Sequence, residues 1–243
     1  MIYAVISDIH GNLEALLSVK EYIESYESKI DKVICLGDIV GYGADPGECI
    51  RITREFSDVI LAGNHDFAVC ELTSIDNFNS CAREAVLWTK NVLNDDEIKF
   101  LRNLPLEFRE EDSSFVHASL HRPESWRYLS GPGDTFIDFQ IMEDKVLFVG
   151  HTHVPVIFKD TGGDVEILTS MEVSLASDKK YIINPGGVGQ PRDRNPRASF
   201  LIYDSDKKYL KIFRIKYDIK KAQSKILKAG LPAVLAERLS HGT

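Results

Sequence analysis

The sequence is poor in the features that would commit it to several common roles. Its 243 residues include four cysteines, and Cys35, Cys49, Cys70 and Cys81 are widely spaced with no C-x-x-C pair. That argues against a disulfide-stapled scaffold or a thiolate zinc ribbon and fits reduced thiols. No apolar run approaches the length of a transmembrane helix. The N-terminus shows no basic stretch leading into an apolar run and a cleavage site, so no signal peptide and no membrane partner are expected, and the expected location is cytoplasmic. Positive charge is also short. Against 37 Asp and Glu stand 29 Lys and Arg, for a net charge of −8. Such a surface repels the backbone of duplex nucleic acid. Internal repeats and low-complexity linkers are absent too, and residues 1–243 read as one domain.

What the chain does contain is a recurring pattern: short apolar runs that end in metal-capable residues. Ile2-Tyr3-Ala4-Val5-Ile6 leads to Asp8-Ile9-His10, and Val33-Ile34-Cys35-Leu36 to Gly37-Asp38. Val59-Ile60-Leu61-Ala62 leads to Gly63-Asn64-His65-Asp66, Phe115-Val116 to His117, and Val146-Leu147-Phe148-Val149 to Gly150-His151-Thr152-His153. Runs of this kind read as buried strands. Positions just past a strand's carboxyl end are where α/β proteins build their sites.

Between the runs, Asn12 is placed to cap a helix carrying Leu13, Leu16, Leu17, Tyr22 and Ile23. Asp45-Pro46-Gly47-Glu48 predicts an N-cap, a proline in the first turn and a capping box. Strand, site loop and helix in succession predict a largely parallel sheet. Helices are predicted over Cys81–Leu93 and Asp95–Leu104, the second capped by Asn94. Short strands are predicted around Phe148, then at Val156–Phe158, Val165–Leu168, Val173–Leu175, Ile182–Ile183, Phe200–Tyr203 and Leu210–Ile215, with a hairpin turn at Asp160–Asp164. Two short helices, Ile219–Lys228 and Pro232–Leu239, close the chain, Asp218 capping the first. Residues 67–80 and 118–140 carry no readable motif.

The candidate ligands are Asp, Asn and His, a set suited to hard or borderline divalent ions. An aspartate such as Asp38 can bridge two ions, and a pair about 3.5–4 Å apart can clamp a phosphoryl group. His65 is then left for proton transfer, with Asp66 beside it to hold its tautomer and favour the imidazolium. Singly, each residue is more often turn chemistry at a strand end; their joint order carries the reading.

That order, from Asp8-x-His10 through Gly37-Asp38, Gly63-Asn64-His65-Asp66 and His117 to Gly150-His151-x-His153, resembles the calcineurin-like metallophosphoesterases across residues 8–153. The longer runs from Gly37 to Pro46 and from Asn184 to Arg192 resemble a bacterial and archaeal branch of small phosphoesterases. The resemblance implies an α/β fold, a four-layer αββα sandwich of two mixed β-sheets flanked by helices. It implies two divalent metal ions, manganese first, with iron, zinc, nickel or cobalt as alternatives. Asp8, His10 and His153 would hold one ion and Asn64, His117 and His151 the other, with Asp38 bridging. It also implies in-line attack on phosphorus by a metal-bridging hydroxide, with His65 as general acid supported by Asp66. One departure stands out: His117-Ala118-Ser119 replaces the usual His-Gly, which would narrow the approach to the second ion.

Arg192, Arg194 and Arg197 follow the Pro185-Gly186-Gly187 loop. Arg192 or Arg194, with Asn64, is a candidate grip on a substrate phosphate, and a solvated loop charge is the plain alternative. His121, Arg122 and Trp126 are candidate pocket contacts, although such loop residues more often pack or cap. The implied activity is metal-dependent phosphoester hydrolysis of a phosphodiester or phosphomonoester, in a small molecule or a phosphoprotein. Protein phosphatase or dinucleoside tetraphosphatase chemistry is an alternative. From another class comes a non-catalytic metal-binding scaffold for protein interactions. A nuclease is disfavoured by the acidic balance. A homo-oligomer is open, with free edges expected at Val173–Leu175 and around Ile212.

Overall fold

Side-chain alternation along the strands decides the architecture. Strand β1 (Ile2–Ile6) sends Ala4 and Ile6 to one side and Tyr3 and Val5 to the other. The first pair joins a cluster built with Leu16, Val19 and Ile23 of helix α1 (Leu13–Glu24). The second pair meets Phe115, Phe148 and Ile183 of another sheet. A strand apolar on both faces must be covered on both, and this one lies between helices and a second sheet.

The computed structural model describes residues 1–243. After α1 come β2 (Lys32–Cys35), α2 (Pro46–Phe56), β3 (Val59–Ile60) and the short α3 (Asn64–Val69). Helices α4 (Ser80–Val92) and α5 (Asp95–Arg102) lead to β4 (Glu107–Glu110) and β5 (Ser113–Val116). Then follow α6 (Pro132–Ile141), β6 (Val146–Phe148), β7 (Val156–Asp160), β8 (Val165–Leu168), β9 (Glu172–Ser174) and β10 (Tyr181–Asn184). Strands β11 (Ala198–Asp204) and β12 (Tyr209–Ile215) precede α7 (Ile219–Lys228) and α8 (Ala233–Glu237). One sheet has the order β3-β2-β1-β11-β12-β9 and the other β4-β5-β6-β10-β7-β8.

The two sheets face each other across Tyr3, Ile34, Leu36, Phe115, Phe148, Leu201 and Tyr203. The Phe115 and Phe148 rings stack at 4.9 Å and 11°. Outside the first sheet lie α1, α2 and α5; outside the second, Phe139 of α6 packs on Leu147 and Ile182. The four-layer αββα sandwich of mixed sheets is therefore the observed fold. Asn12, Asn94 and Asp218 cap their helices as expected, and the Asp160–Asp164 turn joins β7 to β8.

Several expectations change. The sheets are not largely parallel: β1-β2-β3 and β5-β6-β10 are, but β11, β12, β7 and β8 pair antiparallel. Short connections such as the β7–β8 and β11–β12 turns cannot make the crossover that parallel neighbours need. Asp45 caps nothing with its side chain; its carboxylate takes Lys225 Nζ at 2.9 Å instead. Ile212 lies on β12, which is paired on both sides, so only β9 presents the expected edge. Strand β4 and helix α6 were not expected. The first has one apolar residue, Phe108, and the second spends Phe136, Ile137 and Ile141 on the surface, so neither shows a clean stripe.

Candidate metal centre

The parallel halves of the two sheets end at the same rim. Asp8 and His10 follow β1, Asp38 follows β2, and Asn64 and His65 open α3 just after β3. From the second sheet, His117 follows β5, and His151 and His153 follow β6. All seven expected ligands are buried at this rim, as is His65. The loops hold backbone conformations that ordinary residues avoid: φ is +56° at Asp8, +49° at His10, +54° at Asp38, +65° at His151 and +59° at His153. Each such residue costs about 1–3 kcal/mol, and such strain concentrates at functional sites. Gly63 and Gly150 are needed for space, since a Cβ at either would run into Asp38 or Ser7 Oγ respectively.

Two clusters share Asp38. Ligand atoms of Asp8, His10, Asp38 and His153 lie within 4.8 Å of one another, and so do those of Asp38, His117 and His151. In the first cluster, His153 Nε2 is 3.3 Å from Asp8 Oδ1 and His10 Nε2 is 3.5 Å from Asp38 Oδ2. In the second, His117 Nε2 is 3.4 Å from the same Asp38 oxygen. The other carboxylate oxygens are tied back, Asp8 Oδ2 accepting from the His151 N–H at 3.2 Å and Asp38 Oδ1 from the His65 N–H at 2.8 Å.

Hydrogen bonds also fix the imidazoles. His10 Nδ1 meets the Val40 carbonyl at 3.0 Å, His153 Nδ1 the Gln190 carbonyl at 2.6 Å, and His117 Nδ1 the Leu36 carbonyl at 3.1 Å. A carbonyl only accepts, so each Nδ1 carries a proton, and each ring, when neutral, turns an Nε2 lone pair inward. The inward nitrogens of His10 and His153 then face each other at 3.2 Å. Two lone pairs at that distance repel unless a cation or proton lies between them. Buried Asp8 Oδ1, Asn64 Oδ1, His117 Nε2 and His151 Nε2 have no hydrogen-bond partner at all. Orphaned acceptors of this kind are costly in an apolar interior, and divalent metal bound at the two clusters would satisfy them. The residues present fit such metal, and a carbonyl behind His10, His117 and His153 is the usual support of a metal ligand.

Electrostatics separates the groups further. Burial pushes the Asp8 carboxyl up to about 7. Burial would raise Asp38 as well, but the imidazoles of His117 and His65 hold it well below the usual carboxylate range. Burial opposes charge on His117, yet Asp38 outweighs it and lifts the imidazole to about 9. Burial lowers His10 and His153, and takes His151 to about 3 and His65 to about 4.

Asp66 does not orient His65. Its carboxylate accepts the backbone N–H groups of Asp38, Ile39, Val40 and Gly63 at 2.8–3.2 Å and so clamps the Asp38 loop against α3. His65 Nδ1 is left buried without a partner, its ring packed by Tyr42, Phe78 and His10 at 4.5–4.9 Å. Neighbours in sequence at a helix start point in different directions, so adjacency was a poor guide. The expected imidazolium is likewise not favoured.

Of the arginines, Arg192 comes to the centre. Its Nη2 lies 2.9 Å from Gln190 Oε1 and 3.4 Å from Tyr42 Oη. Arg194 is exposed, its backbone N–H bonding the Gly242 carbonyl, and Arg197 turns to Asn195. Trp126 packs edge-on to His117 and donates to Thr73 Oγ1. Sequence reasoning missed Tyr128, half-exposed, whose ring stacks on His151 at 4.0 Å and 27°. It also missed Asp138 of α6, which gathers the N–H groups of Leu120 and His121, Ser119 Oγ and Arg127 and so sets the loop after His117. Asn184 binds the Gly150 carbonyl and Thr152 Oγ1, fixing the His151 loop, and its place in the Asn184–Arg192 run was the available signal.

The comparisons agree with this geometry. The family model described as the calcineurin-like phosphoesterase superfamily domain matches residues 1–208. The uncharacterized protein MJ0912 of Methanocaldococcus jannaschii is 44% identical over 98% of this chain and 97% of its own length. A crystal structure of a metallophosphoesterase from Sphaerobacter thermophilus shares 35% identity and a TM-score of 0.88, covering 100% of this chain and 99% of that one. A hypothetical protein of Pyrococcus horikoshii has the same fold at 21% identity and a TM-score of 0.81, with 100% and 98% covered. Ligand rim, sandwich and sequence together make this chain a member of the calcineurin-like phosphoesterase superfamily.

Proposed function

We propose that this protein is a phosphoester hydrolase that uses two divalent ions, one held by Asp8, His10 and His153, the other by Asn64, His117 and His151, and both by Asp38. The observation that carries the reading is the convergence of unpartnered buried acceptors on the single carboxylate of Asp38. The ions, manganese first among candidates, would polarise the phosphoryl oxygens and lower the pKa of a bound water.

The chain's own residues supply the rest. Asp66 keeps Asp38 in place through the loop it clamps. Arg192 brings a fixed positive charge for a non-bridging phosphate oxygen. His65, with a free Nδ1, is the proton donor to the leaving oxygen; burial disfavours its charged form, and the negative charge of a bound substrate raises its proton affinity so that it takes up the proton from solvent water before passing it on. The substrate class is a phosphodiester or phosphomonoester on a small molecule or phosphoprotein.

The test is metal analysis followed by turnover. Protein purified without added metal, stripped and reloaded with manganese, should hold two ions per chain and hydrolyse bis-p-nitrophenyl phosphate or p-nitrophenyl phosphate. Two ions with no hydrolysis of either would favour the protein-binding scaffold. No bound ion would overturn the reading.

A further inference from the structure

Several arginines of the fold are neutralised by a side-chain carboxylate. Arg214 pairs with Asp193, Arg127 with Asp138, and Arg51 with Glu48 and Glu55. Arg192 and Arg238 have no side-chain carboxylate partner, and they meet at one ring. Arg192 sits with its guanidinium carbon 5.8 Å from the centre of Tyr42, and Arg238 lies 5.9 Å from the same centre. Arg192 Nε is buried with no partner. Arg238 uses Nε to donate to the Thr243 oxygen. Tyr42 in turn packs on His10 at 4.7 Å and on His65 at 4.5 Å. Both charges are therefore one ring away from the metal-binding rim.

Arg238 reaches this place by a dedicated piece of chain. Helices α7 and α8 turn back on themselves, and Ile226, Leu231, Leu235 and Leu239 pack against Tyr42 and α4. The hairpin lies beyond residue 208, where the match to the family model ends. Bringing two cations together in a half-buried site is unfavourable unless an anion joins them. Burial, and then Arg192, lowers the pKa of Arg238, so the two guanidiniums feel each other.

We propose that Arg192 and Arg238 form a second anion subsite beside the metal centre, and that the substrate carries two neighbouring phosphate groups. One phosphate reacts at the ligand rim; the other is gripped by the two guanidiniums across Tyr42. The subsite rests on the phosphoesterase reading for its catalytic meaning, but not for its ability to bind an anion. The chemical class is a compound with phosphates in anhydride linkage or on one short linker.

The experiment uses the full chain in excess manganese and two non-hydrolysable probes, methylphosphonate and methylenediphosphonate, titrated calorimetrically. Wild type should prefer the diphosphonate. Arg238→Met keeps the aliphatic stem over Tyr42 and should cut that preference about tenfold or more, the scale of a charged hydrogen bond. Arg238→Lys should recover part of it. Arg192→Met, nearer the rim, should weaken both probes. Chelation of manganese by the diphosphonate is common to all the proteins and cancels in the comparison. If Arg238→Met leaves the preference unchanged, or weakens both probes equally, Arg238 only ties down the end of the chain and the proposal is overturned. Hydrolysis of bis-p-nitrophenyl phosphate by the same wild-type preparation separates the two readings. Turnover without an Arg238 effect on preference removes the subsite alone. An Arg238 effect without turnover keeps the subsite and removes the phosphoesterase.

Discussion

Asp38 divides the centre into two halves that the fold prepares differently. On the Asp8 side, both imidazoles are locked by carbonyls, and the loops that carry them are laced together by backbone hydrogen bonds. Asp8 N–H reaches the Gly37 carbonyl at 3.0 Å, His10 N–H the Asp38 carbonyl at 2.9 Å, and Gly189 N–H the Asp8 carbonyl at 2.9 Å. Both halves draw on both sheets, His153 joining Asp8 and His10, and His117 and His151 joining Asn64, so the difference lies in how the rings are held. His117 is locked, but no hydrogen bond fixes the His151 ring, which is held by the stacked face of Tyr128 instead. The lesson concerns division of labour. A half whose rings are fixed in advance can select and hold an ion before substrate arrives, and a half with one ring unfixed would be completed by its ion.

The largest effect should come from breaking what the halves share. Asp38→Asn keeps the shape and removes the charge that both clusters use. Metal content should fall below one ion per chain, and turnover about a thousandfold or more, since the ions are worth several kcal/mol to the transition state. Elemental analysis and hydrolysis of bis-p-nitrophenyl phosphate check it. Loss of one ion only would mean that the halves are independent.

His65→Ala should leave both halves loaded and still slow the reaction, by roughly 10²–10⁴ for an alkyl phosphate whose leaving group needs a proton. The loss should shrink toward nothing for p-nitrophenolate, a good leaving group. A rate loss that ignores the leaving group would remove His65 from proton transfer.

Protonation sharpens the contrast between the halves. His117 is raised to about 9, so below that pH an ion must displace a proton from it. His10 and His153 are lowered by burial and already neutral, and Asp8 is raised only to about 7. Between pH 7 and 9, therefore, affinity for the ion on the Asn64 side should climb by up to about tenfold per pH unit while the Asp8 side stays flat. Calorimetry in two buffers of different ionisation enthalpy reads the released proton directly. Equal proton release by both ions would contradict it.

How much of this was legible in the sequence follows from the same asymmetry. The ligand loops were readable because Gly-Asp, Gly-Asn-His-Asp and Gly-His-x-His place glycine where the packed backbone admits no Cβ. The strands before them were readable because both faces are buried, so Val33–Leu36 or Val146–Val149 show as unbroken apolar runs. What surrounds the site was not. Asp66 looked like a partner for His65 because the two are adjacent, and the clamp on Asp38 depends on a fold that brings α3 beside the β2 loop. Tyr128 and Asp138 act from a segment with no motif, where contact with His151 and Leu120 is decided by the second sheet. Arg238 reaches Tyr42 only through a hairpin that packs back across the chain. Local pattern carries ligands; tertiary packing carries their support.

Tyr128 gives the smallest and most discriminating prediction. Its ring covers His151 at 4.0 Å, yet it is half-exposed and holds no expected ligand atom. An aromatic pair of this kind is worth about 0.5–1.5 kcal/mol. Tyr128→Ala should weaken the ion on the Asn64 side by roughly two- to tenfold and leave the Asp8 side untouched, because His10 and His153 take their orientation from Val40 and Gln190 carbonyls. Tyr128→Phe keeps the face and should bind metal as the wild type does. If both substitutions act alike, the hydroxyl rather than the stacked face is what matters. If Tyr128→Ala weakens both sites, Asp38 couples the two halves more tightly than their separate hydrogen bonds imply, and the rigid half owes part of its rigidity to the loose one.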